Sequence, residues 1–230
     1  MPFVKPPLPP VDLRADGVVE RTSPRPARRT QTERRRETIG LLLRATVDCL
    51  VDKGHAKTTT QEVAQRAGLS QGAIFRHFAS RLDLMVATAE HLSGGCLAHF
   101  EAQLLAKRSP AQGDELEAAL EVFYDVVSTP DQAAWFELQL AARTDAELQQ
   151  RMQPIFDHNR QANIAMAERL LPGLLAGVPM AQDFVQLFVY LFHGVAMDEH
   201  FEPQPDRRER LLATVGMLSR LALAQLRSPR

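Results

Sequence analysis

The sequence predicts an all-α chain with a small N-terminal head and a larger helical body. Three observations lead there. Apolar residues recur at helical spacing almost everywhere from Thr38 onward, strand-like alternation of any length is absent, and the pattern is interrupted at turn signals built on Gly or Pro. The 230 residues, 45% of them hydrophobic, suffice for one large domain or two small ones with a sizeable core. No run reaches the roughly 18 apolar residues of a membrane helix, and the Arg- and Pro-rich start does not read as a signal peptide. A cytoplasmic protein with no membrane partner is therefore expected. Cys49 and Cys96 fall inside helical patterns and read as reduced packing residues, since neither lies in a motif that would lower its thiol pKa.

The first 26 residues hold seven prolines and little periodicity, so residues 1–33 are expected to form a disordered extension. The stretch from Arg21 to Arg36 adds seven arginines and one acid, Glu33. Ile39, Leu42, Leu43, Thr46, Val47 and Leu50 then mark a first helix, and Gly54 stops it. Next comes TTQEVAQRAGLSQGAIFRHF, Thr59 to Phe78. Thr59 with Glu62 has the spacing of a capping box, Gly68 supplies a left-handed turn, and Ser70 can cap a second short helix. Val63, Ala64 and Ala67 give the first short helix its apolar face, and Ile74 and Phe78 give the second its own. The small side chain of Ala64 allows the close approach that a helix-turn-helix requires. This places a helix-turn-helix domain over residues 34–80. Ser70, Gln71, Gly72, Ala73, Arg76 and His77 are left free of the core, and such small or hydrogen-bonding residues suit a DNA major groove. Ser80, with Asp83 three residues on, caps a long following helix.

The body, residues 81–230, reads as amphipathic helices over 81–106, 114–128, 131–143, 145–171, 180–200 and 206–227. Their breaks fall at Ser109-Pro110, Thr129-Pro130, Leu171-Pro172-Gly173 and Val178-Pro179. The net charge of −1 conceals a division. Residues 1–91 carry 15 Lys and Arg against 10 Asp and Glu, and residues 92–230 carry 12 against 18. A basic first part suits a polyanion. Gly94-Gly95 lies inside the first body helix at a cost of roughly 1 kcal/mol per glycine. Close packing or a helix break is one reading of the pair, and a hinge is the other.

Residues 39–86 resemble the tetracycline-repressor (TetR) family of bacterial regulators without a gap. The resemblance rests on Gly54, Thr58-Thr59, Val63-Ala64, Ala67-Gly68-Leu69-Ser70, Gly72, Phe75, His77-Phe78, Ser80-Arg81 and Leu84. It implies a three-helix DNA-binding head, a fourth helix leading into a ligand-binding body, and a homodimer on a palindromic double-stranded operator. By matching position Thr59, Gln71, His77 and Arg81 would contact DNA, chiefly at phosphates. Phe75 stands where a tyrosine is more usual, so one hydroxyl–phosphate bond is missing. Arg81 replaces a lysine, and His55 replaces an aromatic residue.

The resemblance also implies a bundle formed by the last two helices and their copies in a partner. Residues 183–195, DFVQLFVYLFHGV, are apolar on most of their circumference, and the last helix carries a wide apolar stripe. Phe184, Phe188, Leu191, Leu211, Val215, Leu218 and Ala222 are the expected interface; a monomeric core is the alternative reading.

An effector pocket, apolar with a few polar groups, is sought among His99, Phe123, Trp135, Phe136, Gln139, Phe156, Asn159, Phe188, Phe192 and His193. Any helical core would equally contain such aromatics. The histidine spacing shows no convergent metal ligands, and no cofactor is implied. A nucleophile–base pair and a phosphate loop are missing too, so a regulator is expected rather than an enzyme. The mechanism that the resemblance implies is an effector-driven movement of the fourth helix that releases the DNA.

Overall fold

Thr30 starts the first helix. Its Oγ1 accepts from the Glu33 amide at 3.2 Å while the Glu33 carboxylate accepts from the Thr30 amide at 2.7 Å, a reciprocal cap. In this computed structural model, which describes residues 30–107, 114–178, 180–198 and 206–227, helix α1 therefore spans Gln31–Lys53. That is earlier than an extension ending at residue 33 allows. Residues 31–37 are exposed on every side, so no apolar periodicity announces them. Residues 1–29, with most of the expected extension, and the Ser109-Pro110 break lie outside the described residues.

Gly54, at φ 75°, ends α1 with its amide on the Leu50 carbonyl. A single 3₁₀ turn, His55–Lys57, leads to α2 (Thr60–Arg66) and α3 (Gln71–Phe75). Gly68 takes φ +67° between them, as expected, and the Leu69 amide closes the turn on the Ala64 carbonyl at 2.9 Å. Two caps differ from expectation. Thr59 accepts from the Glu62 amide, but the Glu62 carboxylate is held by Lys53, so only half the box forms. Ser70 sits at the start of α3 without a side-chain cap bond. Its carbonyl accepts from the Ala73 amide at 2.9 Å and closes this five-residue helix through the backbone alone.

The remaining helices are α4 (Arg81–Lys107), α5 (Glu115–Val127), α6 (Pro130–Ala142), α7 (Ala146–Leu170), α8 (Pro172–Leu175), α9 (Ala181–Asp198) and α10 (Arg207–Arg227). No strand occurs among the described residues. Ser80 caps α4 as expected, its Oγ accepting from the Asp83 amide at 3.1 Å and donating to the Asp83 carboxylate at 2.8 Å. Helix α4 passes through Gly94-Gly95 unbroken. Both glycines are exposed, and a Cβ on either would meet no described atom within 4 Å. Neither close packing nor a helix break accounts for the pair.

Three apolar clusters hold the fold. Leu42, Leu43, Cys49, Val63, Ala64, Ile74, Phe78 and Leu84 form the head core. Val47 and Leu50 of α1 join Met85, Ala89 and Leu92 of α4 in a central core with Trp135, Leu138, Met152, Phe192 and Val215. An outer cluster gathers Phe100 and Leu104 with Val122, Val126 and Leu170. Each fully buried Leu or Phe contributes about 1.5–3 kcal/mol. Cys49 is buried in the head core, and burial pushes the Cys96 thiol up to about 11, which suits packing rather than reactivity.

His193 of α9 packs edge-on against Phe136, ring centroids 4.7 Å apart, and burial pushes its pKa from 6.5 down to about 4. The unfolded chain thus binds a proton that the folded chain refuses between these values. Stability is full above pH 6.5 and falls as pH drops toward 4, by up to about 3 kcal/mol. Denaturant melts of the chain and of His193→Leu across that window test this. The variant should show a shallower slope, with His55, whose pKa is lowered too, supplying part of what remains; equal slopes would show that His193 is not a source.

Candidate nucleic-acid interface and body cavity

Helix α3 buries only Ile74 and turns the rest of its surface outward. Ser70, Gln71, Gly72, Phe75 and Arg76 are exposed, Phe75 by 51%, and Ala73 and His77 are half-buried. Gln71 is oriented by donation from Nε2 to Thr60 Oγ1 at 2.9 Å, which ties α3 to the first turn of α2. The Nδ1 atom of His77 is buried without a hydrogen-bond partner. The Thr59 side chain is engaged in its own cap and remains exposed beside this surface.

Three of the head's cations are held in ion pairs. Arg44 pairs with Asp131, Lys53 with Glu62, and Arg66 with Asp52. Arg76 and Lys57 are exposed and make no ion pair among the described residues. Lys57, in the turn just before the α2 cap, was missed in the sequence because no periodicity marks a three-residue turn.

Arg81 is placed differently from a free phosphate contact. It is half-buried, its Nε donates to the Thr58 carbonyl at 2.8 Å, and its Nη2 donates to the His55 carbonyl. Burial lowers its pKa, and burial followed by the Arg81 charge lowers that of His55. Arg81 thus braces the turn that carries Lys57 and Thr59. The same turn touches the body, because the His55 amide donates to Glu137 of α6 at 3.1 Å.

The body holds an apolar cavity of about 90 Å³ beside the outer cluster. Phe123 of α5 and Phe188 and Phe192 of α9 line it, as expected, together with Phe100, Met166, Leu174, Phe184 and Leu223. Asn163 of α7 is its one polar lining side chain. The other expected pocket residues lie elsewhere. Trp135 packs edge-on against Phe156 at 4.9 Å, and Phe136 against His193. His99 is exposed on α4, Gln139 is half-buried on α6, and none of these lines the cavity. Asn159 stands one step behind it. Asn163 Nδ2 donates to Asn159 Oδ1 at 2.9 Å, and Asn159 Nδ2 donates to Ser93 Oγ of α4 at 2.8 Å.

The expected interface residues also separate. Val215 is 5% exposed within the chain's own core, Leu211 and Phe188 pack against that core, and Phe184 lines the cavity. Val215 is thus closed to a partner, whereas Phe184, Phe188 and Leu211 are half-buried. Leu191 and Leu218 are exposed, and Ala222 is half-buried. With Leu187, Tyr190, Met217 and Leu221, each 53% or more exposed, Leu191 and Leu218 give α9 and α10 each an outward apolar stripe. No group of three or more His, Cys, Asp or Glu among the described residues is placed to hold a metal ion. No described helix is long and apolar enough to cross a membrane.

Residues 42–88 match the family model described as bacterial regulatory proteins, tetR family. The chain is 34% identical over 206 residues to an uncharacterised HTH-type transcriptional regulator of Mycobacterium tuberculosis, covering 86% of this chain and 99% of that protein. It is 30% identical over 190 residues to the HTH-type transcriptional regulator CymR of Pseudomonas putida, covering 81% of this chain and 91% of CymR. The fold is similar to the crystal structure of a TetR-family transcriptional regulator from Rhodococcus sp. The TM-score is 0.64 at 18% identity, over 80% of this chain and 99% of that one.

The two arginines of the interface should behave differently when replaced. Arg81→Met removes two charge-assisted bonds to carbonyls and should lower unfolding stability by about 2 kcal/mol. Arg76→Ala touches nothing in the core and should melt within about 0.5 kcal/mol of the parent chain. Urea titration of both variants decides the matter, and an Arg81→Met chain as stable as the parent would remove the brace.

Proposed function

The chain belongs to the TetR family of bacterial regulatory proteins, and we propose that it is a homodimeric, cytoplasmic repressor that leaves a palindromic operator when a small apolar effector fills the body cavity. The observation that carries this reading is the outward surface of α3. It presents Gln71, the small Gly72 and Ala73, and the unpaired Arg76 on a rigid three-helix head. Small residues let backbone approach a groove floor, Gln reads base edges, and Arg76 with Lys57 meets phosphates or bases. Thr59, Ser70 and His77 stand around the same surface. Phe75 contributes an apolar ring and no hydroxyl, so it contacts sugar or thymine methyl rather than donating to phosphate. Arg81 acts by holding the turn that presents Lys57 and Thr59.

The outward face of α9 and α10 supports the dimer. Its residues recur three and four apart, Leu187, Tyr190 and Leu191 on one helix and Met217, Leu218 and Leu221 on the other. This spacing matches a helix pair that buries one stripe against a copy of itself. A dimer places two α3 helices on successive turns of one face of DNA, about 34–36 Å apart. Release by effector requires the occupied cavity to prefer another head spacing. Helix α4 supplies the connection, with Phe100 at the cavity, Ser93 at the end of the Asn163–Asn159 relay, and Leu84 in the head core.

Selection of duplexes from a random pool by the purified chain should return a palindrome. Its log affinity should fall with log salt by about 0.9 per contacted phosphate. Leu218→Glu, on the outward face, should give folded monomers that bind that duplex at least about a hundredfold more weakly. Affinity indifferent to salt, or a Leu218→Glu chain that remains dimeric in light scattering, would contradict the reading.

A further inference from the structure

We propose that the body cavity takes a small uncharged molecule, mostly hydrocarbon, whose single hydroxyl donates a hydrogen bond to Asn163 Oδ1. That this ligand is the effector rests on the function proposed above.

No ionisable side chain lines the cavity, and its surface is supplied by Phe, Leu, Val, Ala and Met apart from one amide. A carboxylate or ammonium brought there would lose its water without a counter-charge, at a cost of several kcal/mol. A pure hydrocarbon would leave the one amide of the wall unanswered. A neutral molecule with one polar atom satisfies both conditions.

The relay determines which polar atom. One hydrogen of the Asn163 amide goes to Asn159 Oδ1, and Asn159 in turn donates to Ser93 Oγ, so the direction of donation runs from the cavity wall toward α4. The Oδ1 of Asn163 has no hydrogen-bond partner among the described residues. It is an acceptor, so the ligand supplies a donor, and a hydroxyl is the simplest neutral donor on a hydrocarbon. Size follows from the cavity volume of about 90 Å³, which limits the ligand to no more than about one ring. A single ring fits this, and Phe123 and Phe192, edge-on at 5.3 Å, furnish ring edges and faces to receive it.

Calorimetric titration of the full chain without DNA tests the proposal with three probes of nearly one shape. These are 4-methylphenol, which donates; 4-fluorotoluene, which does not; and 4-methylbenzoate, which is charged. The expected result is 4-methylphenol binding about tenfold more tightly than 4-fluorotoluene, and 4-methylbenzoate at least about a hundredfold more weakly than 4-methylphenol. Asn163→Leu should abolish the difference between the two neutral probes. Equal affinity of the two neutral probes for the parent chain, tight binding of 4-methylbenzoate, or binding of none of the three would overturn the proposal. The comparison on the parent chain decides even if Asn163→Leu does not fold. Duplex retention by the same preparation, without probe, is read separately. Retained DNA binding with the wrong probe order overturns only this inference, whereas lost DNA binding with the expected order overturns the function proposed above.

Discussion

The structure depends on one shared element, the uninterrupted helix α4. Its successive turns are anchored in different cores. Leu84 belongs to the head, its neighbour Met85 and then Ala89 and Leu92 to the central core, and Phe100 and Leu104 to the outer cluster beside the cavity. Helix α1 repeats the arrangement on a smaller scale, with Cys49 facing the head core and Leu50 the central core. Head and body are therefore not beads on a linker, and a displacement of one end of α4 must be absorbed by packing or by the helix itself. The ion pair that also crosses the joint, Arg44–Asp131, is largely exposed and adds little.

Gly94-Gly95 acquires its meaning from that constraint. The pair falls between Leu92, the last α4 residue of the central core, and Cys96, which packs against the outer cluster ahead of Phe100. A Cβ on either glycine would meet no described atom within 4 Å, and each glycine weakens the helix by roughly 1 kcal/mol relative to alanine. On the function proposed here, this is the place where α4 bends most cheaply when the cavity fills. Ser93, next to it, receives the hydrogen bond that begins at Asn163.

Much of this was legible in the sequence, and what was not has a physical pattern. Gly68, Ile74 and Ser80 declare the head because a left-handed turn, a buried apolar residue and a cap each demand particular residue types at one spacing. Helix ends in the body came out within a residue or two, because Pro and Gly mark them. Periodicity also separates inward from outward faces, yet it cannot say what an inward residue meets. Val215 and Leu218 lie in the same apolar stripe, but Val215 fills the chain's own core and Leu218 faces out. Among the aromatics, Trp135 and Phe156 fill space against each other, while Phe123 and Phe188 border a gap that depends on where α8 and α9 sit. Arg81 read as a surface cation, since its carbonyl partners at His55 and Thr58 form only once the turn has folded against α4.

The central claim is that DNA bound at α3 and the bend of α4 are one equilibrium. Amide hydrogen exchange along α4, measured on the full chain with and without a duplex that it binds, tests this most directly. The account predicts protection at residues 70–77 and, about 20 residues away in sequence, a distinct slowing at residues 92–98, because bound heads select one form of the helix. Protection confined to the α3 region, with exchange around Gly94-Gly95 unchanged, would contradict it.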